Sequence, residues 1–313
     1  MAKTREIRKR ILSVRNINKI TRTMEKVAQS KVMKLNARFA EAKAFRADLA
    51  RLVPEALGAA LGTSQAQEAL ANHPLTAARD RGARVLLFVV TSSRGLCGGY
   101  NARVLQATKA RMQELAGESR QASLVVMGRK GLSYFRYHNQ PVEIQLPDID
   151  ENIPFLDLRQ VLDEIIRRFT SHAMDKVDEV EVVSTRSVNK VLQEVRVSRL
   201  LPFEFARVAG VPASGPATVR RGGGAEEPLY YVEPSRADVL SALVPMAVAV
   251  ELFCSILEAM LGEQAQRSLA MRSASDNANS MTKRLTRTYN RARQAQITNE
   301  MIEIISGSEG GRE

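Results

Sequence analysis

The chain has 313 residues, with 46 Lys and Arg against 34 Asp and Glu, so its formal net charge at pH 7 is +12. This length has room for one large or two modest domains, and the basic excess favours nucleic acid, anionic lipid or an acidic protein surface as partner. We find no signal-peptide pattern, and Pro245, Glu251 and Glu258 interrupt the most apolar stretch, 239–261. We therefore expect a soluble chain without a membrane span.

The two cysteines and three histidines do not cluster. Cys97 falls in a predicted strand-end loop and Cys254 in a predicted helix, which favours free thiols in a reducing compartment. We expect no metal site and no cofactor.

Both ends of the chain predict long helices. All eleven prolines lie between Pro54 and Pro245, and Gly262 is the only glycine in either terminal stretch before Gly307. Uninterrupted helix is therefore permitted over the first 53 residues and over 246–306, about 80 Å and about 90 Å long. Helices longer than a globular domain must project from it, and we expect them to pair.

Apolar periodicity supports this pairing. Alternate steps of four and three residues give the expected seam of a coiled coil on the first helix: Ile7, Ile11, Val14, Asn18, Thr21, Glu25, Ala28, Val32, Leu35, Phe39, Ala42, Arg46, Leu49, Val53 and Ala56. The same steps on the last helix give Met281, Leu285, Thr288, Ala292, Ala295, Asn299 and Ile302.

The first seam is interrupted by polar residues from Asn18 to Glu25. There the apolar positions move to Ile17, Ile20, Met24 and Val27, as expected for a helix that something besides its partner encloses. A helical hairpin arm with ordinary register defects is the alternative.

Positive charge is concentrated on these helices. Residues 1–51 hold fifteen Lys and Arg against four Asp and Glu, and 283–293 form a second basic run without acids. A solvated face is the simplest interpretation, but like charges one turn apart repel unless a partner neutralises them. A basic coiled coil that binds nucleic acid is therefore a competing hypothesis, against which stand the low aromatic content and the lack of a recognised nucleic-acid fold.

The middle of the chain alternates strands with helices, which predicts an α/β sheet of Rossmann type. The predicted strands are 84–91, 122–128, 142–146, and 179–187 with 190–203 as a hairpin, and the predicted helices are 102–115, 129–138 and 155–172. The stretch 206–228, rich in Gly, Pro and Ala, predicts a flexible loop.

A glycine-rich loop, SSRGLCGGYN, follows the first strand and contains Gly95, Gly98 and Gly99. Its spacing matches neither dinucleotide-binding nor P-loop patterns, so a tight strand-to-helix turn is the favoured interpretation. Nucleotide binding by a Rossmann enzyme is the other hypothesis for this loop. We find no catalytic constellation elsewhere.

Several long motifs resemble one family. They are MAKTREIRKRILSVRNINKITRTMEKVAQSK at the start, TSSRGLCGGYN, YYVEP at 230–234, and EQAQRSLAMRSASDNANSMTKRLTRTYNRARQAQITNEMIEIISG near the end. In order and from end to end, the chain resembles the gamma subunit of the rotary F-type ATP synthase. The resemblance implies an α/β fold in which the terminal helices form a long antiparallel coiled coil beside a central Rossmann-like α/β domain.

The resemblance also implies a function. The chain would be a non-catalytic rotor, one copy per complex, that transmits torque between the membrane c ring and the catalytic alpha and beta subunits. Its partners would be alpha, beta, epsilon and the c ring, with no nucleic acid and with membrane contact only through the c ring. It would be peripheral, at the cytoplasmic face of the cell inner membrane.

By the same resemblance, residues can be assigned to contacts. Those implied to face the beta subunits are Lys19, Arg22, Met24, Lys26, Arg293, Gln294 and Thr298, and those implied near the c ring are Tyr230, Tyr231 and Glu233. The expected domains are 1–57 (N-terminal coiled-coil helix), 58–83 (connector), 84–205 (Rossmann-like domain), 206–234 (loop and foot) and 235–313 (C-terminal coiled-coil helix). The chain departs from the family pattern at Gln29, Ser93, Val232 and Gly262, which affects local contacts only.

Overall fold

The computed structural model of the chain describes residues 2–56, 73–77, 83–146, 154–171, 173, 176–187, 193–204, 233 and 236–309. Two compact units are present. Met1–Ser30 and Gln266–Glu313 form one, here named the helix-pair unit, and Lys31–Ala265 forms the other, the sheet unit. Most of the expected connector 58–83 and all of the expected loop 206–228 lie outside the described residues.

The two terminal helices are continuous. Helix α1 covers Ala2–Ala56, and the last helix, α5, covers Arg236–Glu309. The last helix extends beyond the proline-free stretch 246–306 and contains Pro245. Proline removes one helix hydrogen bond at a cost of about 3 kcal/mol, but Val244, Ala247 and Val248 around it are buried, and their burial offsets that cost.

The apolar part of α5 is a core helix. A window within Asp238–Ile302 has a mean hydropathy of 2.1, enough by length and composition to cross a membrane, so Pro245, Glu251 and Glu258 do not exclude a span on these grounds, contrary to our expectation. Half of that window is buried inside the protein, and Leu252, Ile256 and Leu257 are almost inaccessible. Packing in the sheet unit therefore accounts for its apolar composition.

A five-stranded sheet organises the sheet unit, in the order β3-β2-β1-β4-β5. Its strands are β1 Arg84–Val90, β2 Gln121–Met127, β3 Ile144–Leu146, β4 Glu179–Ser187 and β5 Gln193–Leu201. Strands β1 to β4 pair in parallel, and β5 pairs antiparallel to β4, which confirms the predicted hairpin. Among the described residues, three helices connect the strands: α2 Tyr100–Gly117, α3 Arg129–Tyr137 and α4 Phe155–Thr170.

Strand β1 is apolar on both faces because both faces are covered. Val85, Leu87 and Val89 pack with residues of α2 and α3. Leu86 and Phe88 pack on the opposite face with α4 and with the parts of α1 and α5 that belong to the sheet unit. The predicted Rossmann-like α/β layering is confirmed.

Two buried carboxylates lie on β4. Glu179 accepts hydrogen bonds from Arg120 at 2.5 Å and Arg199 at 2.6 Å, and Arg111 donates twice to Glu181, each at 2.8 Å. Burial acts to raise the pKa of Glu179, but the two arginines outweigh it and hold that pKa below its ordinary value.

Candidate subunit interface

The helix-pair unit aligns α1 and α5 antiparallel. Thr4 donates from Oγ1 to Oε1 of Gln296 at 2.6 Å, and Asn18 donates from Nδ2 to the carbonyl oxygen of Ser275 at 2.7 Å. Residue numbers therefore rise along one helix as they fall along the other. Every described member of the predicted α1 seam, from Ile7 to Leu49, is buried or half-buried, which confirms that seam.

The predicted seam on α5 is wrong at five of its seven positions: Met281, Thr288, Ala295, Asn299 and Ile302 are exposed, whereas Leu285 and Ala292 are half-buried as predicted. Among the described residues from 271 onward, the other buried and half-buried positions are Met271, Ala274, Ser275, Ala278, Thr282, Thr286, Tyr289 and Gln296. The prediction followed apolar side chains, but polar groups on the inner face find partners: Gln296 bonds Thr4, and Thr282 donates to the carbonyl of Ala278. Sequence periodicity does not reveal these bonds.

Large apolar side chains lie on the outside of the helix-pair unit. They are Leu12, Ile17, Ile20, Val27, Leu269, Met281, Ile297, Met301 and Ile302. Ile20 is 59% exposed and Ile17 49%, in agreement with the expectation that the apolar residues leave the seam here. Apolar exposure on this scale is typical of a surface that another molecule covers.

Basic side chains lie between these apolar ones. Lys19, Arg22 and Lys26 are exposed and make no ion pair within the described part of the chain, and Met24 beside them is half-buried. The outer surface of this part of α1 is therefore apolar and positively charged, and it suits an acidic partner.

The α5 residues implied by the resemblance also lie at the surface. Arg293, Gln294 and Thr298 are exposed, and Thr298 donates from Oγ1 to the carbonyl of Gln294 at 3.0 Å. Gln294 and Thr298 stand one turn apart on one face, with Arg293 adjacent. Of the foot residues, Glu233 is exposed, whereas Tyr230 and Tyr231 lie outside the described residues.

The glycine-rich loop uses its polar groups internally. Asn101 accepts from the backbone N–H of Ser92 at 3.0 Å and donates to Oγ of Ser92 at 2.7 Å and to Sγ of Cys97 at 3.2 Å. Gly95, Gly98 and Gly99 lie between β1 and α2, and Gly98 has φ +59°, which favours glycine.

The first turn of α3 is likewise occupied. The backbone N–H of Lys130 donates to the carbonyl of Ser92, and that of Gly131 donates to Oγ1 of Thr91, each at 3.0 Å. A phosphate-binding loop turns such amides towards its ligand, whereas these donate to the protein itself.

Sequence reasoning missed the close contact between α3 and the end of β1. Gly128 has φ +98°, and a Cβ there would lie 2.2 Å from the carbonyl oxygen of Thr91; a Cβ on Gly131 would lie 2.6 Å from Oγ1 of Thr91. The only signal is the spacing G-R-K-G after the second strand, which does not by itself reveal a close contact.

The helix-pair unit has a basic and partly apolar outer surface, and the sheet unit has a Rossmann-like fold. These features define a class of protein, a subunit that offers a helical surface to a larger assembly. A family model described as ATP synthase matches residues 3–310. The chain is 37% identical over 305 residues to an ATP synthase gamma chain from Frankia casuarinae, covering 97% of this chain and 96% of that one. A second relative, the ATP synthase gamma chain of Acidothermus cellulolyticus, is 34% identical over 309 residues, 98% of this chain and 97% of that one. The chain belongs to the ATP synthase gamma chain family.

Solved structures share the fold. A chain of the Euglena gracilis mitochondrial ATP synthase, from a structure described as OSCP/F1/c-ring, gives a TM-score of 0.63 at 18% identity, covering 99% of this chain and 94% of that one. A chain of the Tetrahymena thermophila central stalk/c-ring structure gives 0.53 at 20% identity, covering 82% and 99%. The hypothesis of a nucleic-acid-binding coiled coil finds no support in these comparisons.

Proposed function

We propose that this chain is the central rotor subunit of an F-type ATP synthase and transmits torque between a membrane c ring and a ring of alpha and beta subunits. The observation that carries the proposal is the outer surface of the helix-pair unit, with exposed Ile17, Ile20 and Val27 among basic residues. Its relatives are named ATP synthase gamma chain, and one structural neighbour is described as a rotor. A shaft inside a ring needs such a surface because each partner along the ring must contact it in turn.

The proposed partners are alpha, beta, epsilon and the c ring, with one copy of this chain per complex. The chain would be peripheral, at the cytoplasmic face of the inner membrane, and would reach the membrane only through the c ring. Purification of the tagged chain from a membrane extract tests this. Two larger subunits in threefold excess over the chain are expected, because one shaft serves a threefold ring. A chain recovered with nucleic acid and without those subunits would contradict the proposal.

The chain itself is proposed to be non-catalytic. In the glycine-rich loop, the backbone N–H of Ser92 donates to Oδ1 of Asn101 and that of Tyr100 donates to the carbonyl of Cys97, so these amides point to the protein and not to a nucleotide phosphate. We expect the isolated chain to show no ATPase activity and to bind ATP no more tightly than about millimolar. Isothermal titration checks this, and stoichiometric tight binding that Gly98→Ala abolishes would refute it.

Lys19, Arg22 and Lys26 are proposed to face acidic loops of the beta subunits, with Met24 among them. The uncharged Met24 lets each loop pass without a deep energy minimum. Met24→Lys should add an ion pair of roughly 1–4 kcal/mol at particular rotor angles, and so slow or uncouple rotation. Met24→Leu, similar in size and uncharged, is the control. Equal ATP synthesis, hydrolysis and coupling in both variants would exclude this role.

Arg293, Gln294 and Thr298 are proposed to contact one beta subunit at a time and to hold the rotor at its dwell angle. Contacts made at one angle only change the relative energies of the angles, and therefore the turnover rate. We expect Arg293→Ala and Gln294→Ala to lower ATP hydrolysis severalfold at normal content of this chain per complex. Arg272→Ala, an exposed arginine elsewhere on α5, is the control. An unchanged rate of ATP hydrolysis in Arg293→Ala and Gln294→Ala would exclude the role of these residues at the dwell angle.

The last proposed contact is between the foot segment around Glu233 and the c ring. Glu233 is exposed, and we propose that it lies near the c ring together with Tyr230 and Tyr231. Cross-linking from Glu233→Cys in the assembled enzyme should capture c subunits. Capture of alpha or beta subunits alone would place this segment elsewhere.

A further inference from the structure

A polar cluster interrupts the inner face of the helix-pair unit. On α1, Ile11 and Val14 are buried on one side of it and Ala28 on the other. Between them, Asn18 is half-buried, and Ser275 of α5 opposite is only 4% exposed. Apolar burial therefore contributes little to the contact between the helices at this level.

Asn18 bridges two successive turns of α5. Its Nδ2 donates to the carbonyl oxygen of Ser275 at 2.7 Å and to Oδ1 of Asn279 at 3.0 Å, and it lies 3.3 Å from Oγ of Ser275. These acceptors are one helical turn apart on the same face of α5. The side-chain amide of Asn18 thus contacts two successive turns of α5. It can make both contacts only at one axial position and one rotation of α5 relative to α1. Thr21 differs, since its hydroxyl donates to the carbonyl of Asn18 within α1.

The apolar contacts around this cluster are less selective. Ala28 and Ala278 are small, and dispersion between small side chains changes gradually when one helix shifts by a fraction of a turn. Hydrogen bonds weaken steeply with distance and angle. The directional bonds of Asn18 therefore distinguish alignments that the alanines do not.

We propose that Asn18 is a positioning residue that fixes the alignment of α1 against α5 at its level of the helix-pair unit, where the Thr4–Gln296 bond near the start of α1 does not reach. A single polar residue on an otherwise apolar seam selects register in other coiled coils, at a cost in stability. The alignment decides which exposed residues of α1 stand level with which exposed residues of α5. This inference holds whatever partner covers the outer surface.

The test measures the distance between two spin labels on the isolated full chain. Labels at Arg15→Cys and Ser280→Cys stand on exposed positions of the two helices, in a background with Cys97→Ala and Cys254→Ala. Asn18→Leu should broaden the distance distribution about twofold while the thermal midpoint stays equal or rises, because leucine fills the seam without a directional bond. Thr21→Val is the matched control, and it should leave the distribution unchanged.

Two outcomes overturn the proposal: an unchanged distribution in Asn18→Leu, or equal broadening in Thr21→Val. If the leucine variant gives no folded chain, Asn18→Ala removes the amide without adding bulk. Broadening in the alanine variant then supports the proposal, and an unchanged width overturns it.

Discussion

In the sheet unit, six consecutive residues of β1, from Val85 to Val90, are almost completely buried, and the carboxylates of Glu179 and Glu181 on β4 are paired inside the protein. In the helix-pair unit, by contrast, the inner face contains small and polar residues, while Ile17, Ile20 and Val27 face outward. The first unit buries the apolar residues of its sheet by itself, although some of its other large apolar side chains, among them Met33, Leu96 and Tyr137, are exposed. The second leaves many of its larger ones for another molecule to cover, which is how a shaft inside a ring should differ from a self-contained domain.

The largest expected effect separates core from outer surface. Phe88→Ala should lower the free energy of unfolding of the sheet unit by about 4 kcal/mol, because Phe88 is completely buried. Ile20→Ala in the helix-pair unit should change it by less than about 0.5 kcal/mol but weaken assembly with the partner ring. Denaturant titration of the chain and recovery of the complex measure the two effects. A large loss of stability in Ile20→Ala would contradict the comparison.

The next effect concerns the buried ion pairs. Glu179→Gln should lower the free energy of unfolding by roughly 3 kcal/mol, because the buried Arg120 loses its closest charged partner. Glu114→Gln is the control, since the Glu114 side chain is 62% exposed in its pair with Arg111. Urea titration at neutral pH distinguishes them, and equal losses would show that burial does not govern these pairs.

The lowered pKa of Glu179 also predicts that the free energy of unfolding depends on pH in the acid range. Its pKa in the folded chain lies below the ordinary value of 4.5, so its contribution to stability is present above pH 4.5 and is lost as pH falls through the folded pKa. Unfolding free energy measured against pH should decline in this acid range, with a shallower slope in Glu179→Gln. An identical slope in both chains would rule out this contribution.

The smallest expected effect on stability is that of Gly262→Ala. A Cβ there would lie 3.3 Å from Oε1 of Gln193 and 3.3 Å from Cγ2 of Thr185, so both neighbours must move slightly. This cost opposes a gain in helix propensity of about 1 kcal/mol, and we expect Gly262→Ala to change stability by less than about 1 kcal/mol. Gly117→Ala, whose Cβ would meet nothing within 4 Å, is the control in a thermal melt. A loss above about 2 kcal/mol in Gly262→Ala alone would show that Gln193 cannot move.

The buried faces of the helices and strands differed in how well the sequence predicted them. The α1 seam could be predicted because Ile11, Val14 and Leu35 repeat with the helix period, and β1 because its residues are all apolar. The inner face of α5 could not, because Thr282, Tyr289 and Gln296 are positioned by packing and hydrogen bonds rather than by hydrophobicity.

Contacts between distant segments were equally hidden from the sequence. Glu179 is buried because Arg120 and Arg199 reach it, and Gly128 lacks a side chain because Thr91 lies against it. For the candidate interface, the exposed apolar and basic character of α1 could be predicted from its sequence. Its contacts with beta subunits stay predictions.

Direct observation of rotation tests whether this chain is the rotor of the complex. A probe attached at Lys109→Cys, an exposed position on α2 of the sheet unit, would be followed on complexes immobilised through their alpha and beta subunits. ATP should drive the probe in one direction with three equally spaced pauses per turn, as a threefold ring requires. A probe that stays fixed, or only diffuses, while the same complexes hydrolyse ATP would contradict the rotor role.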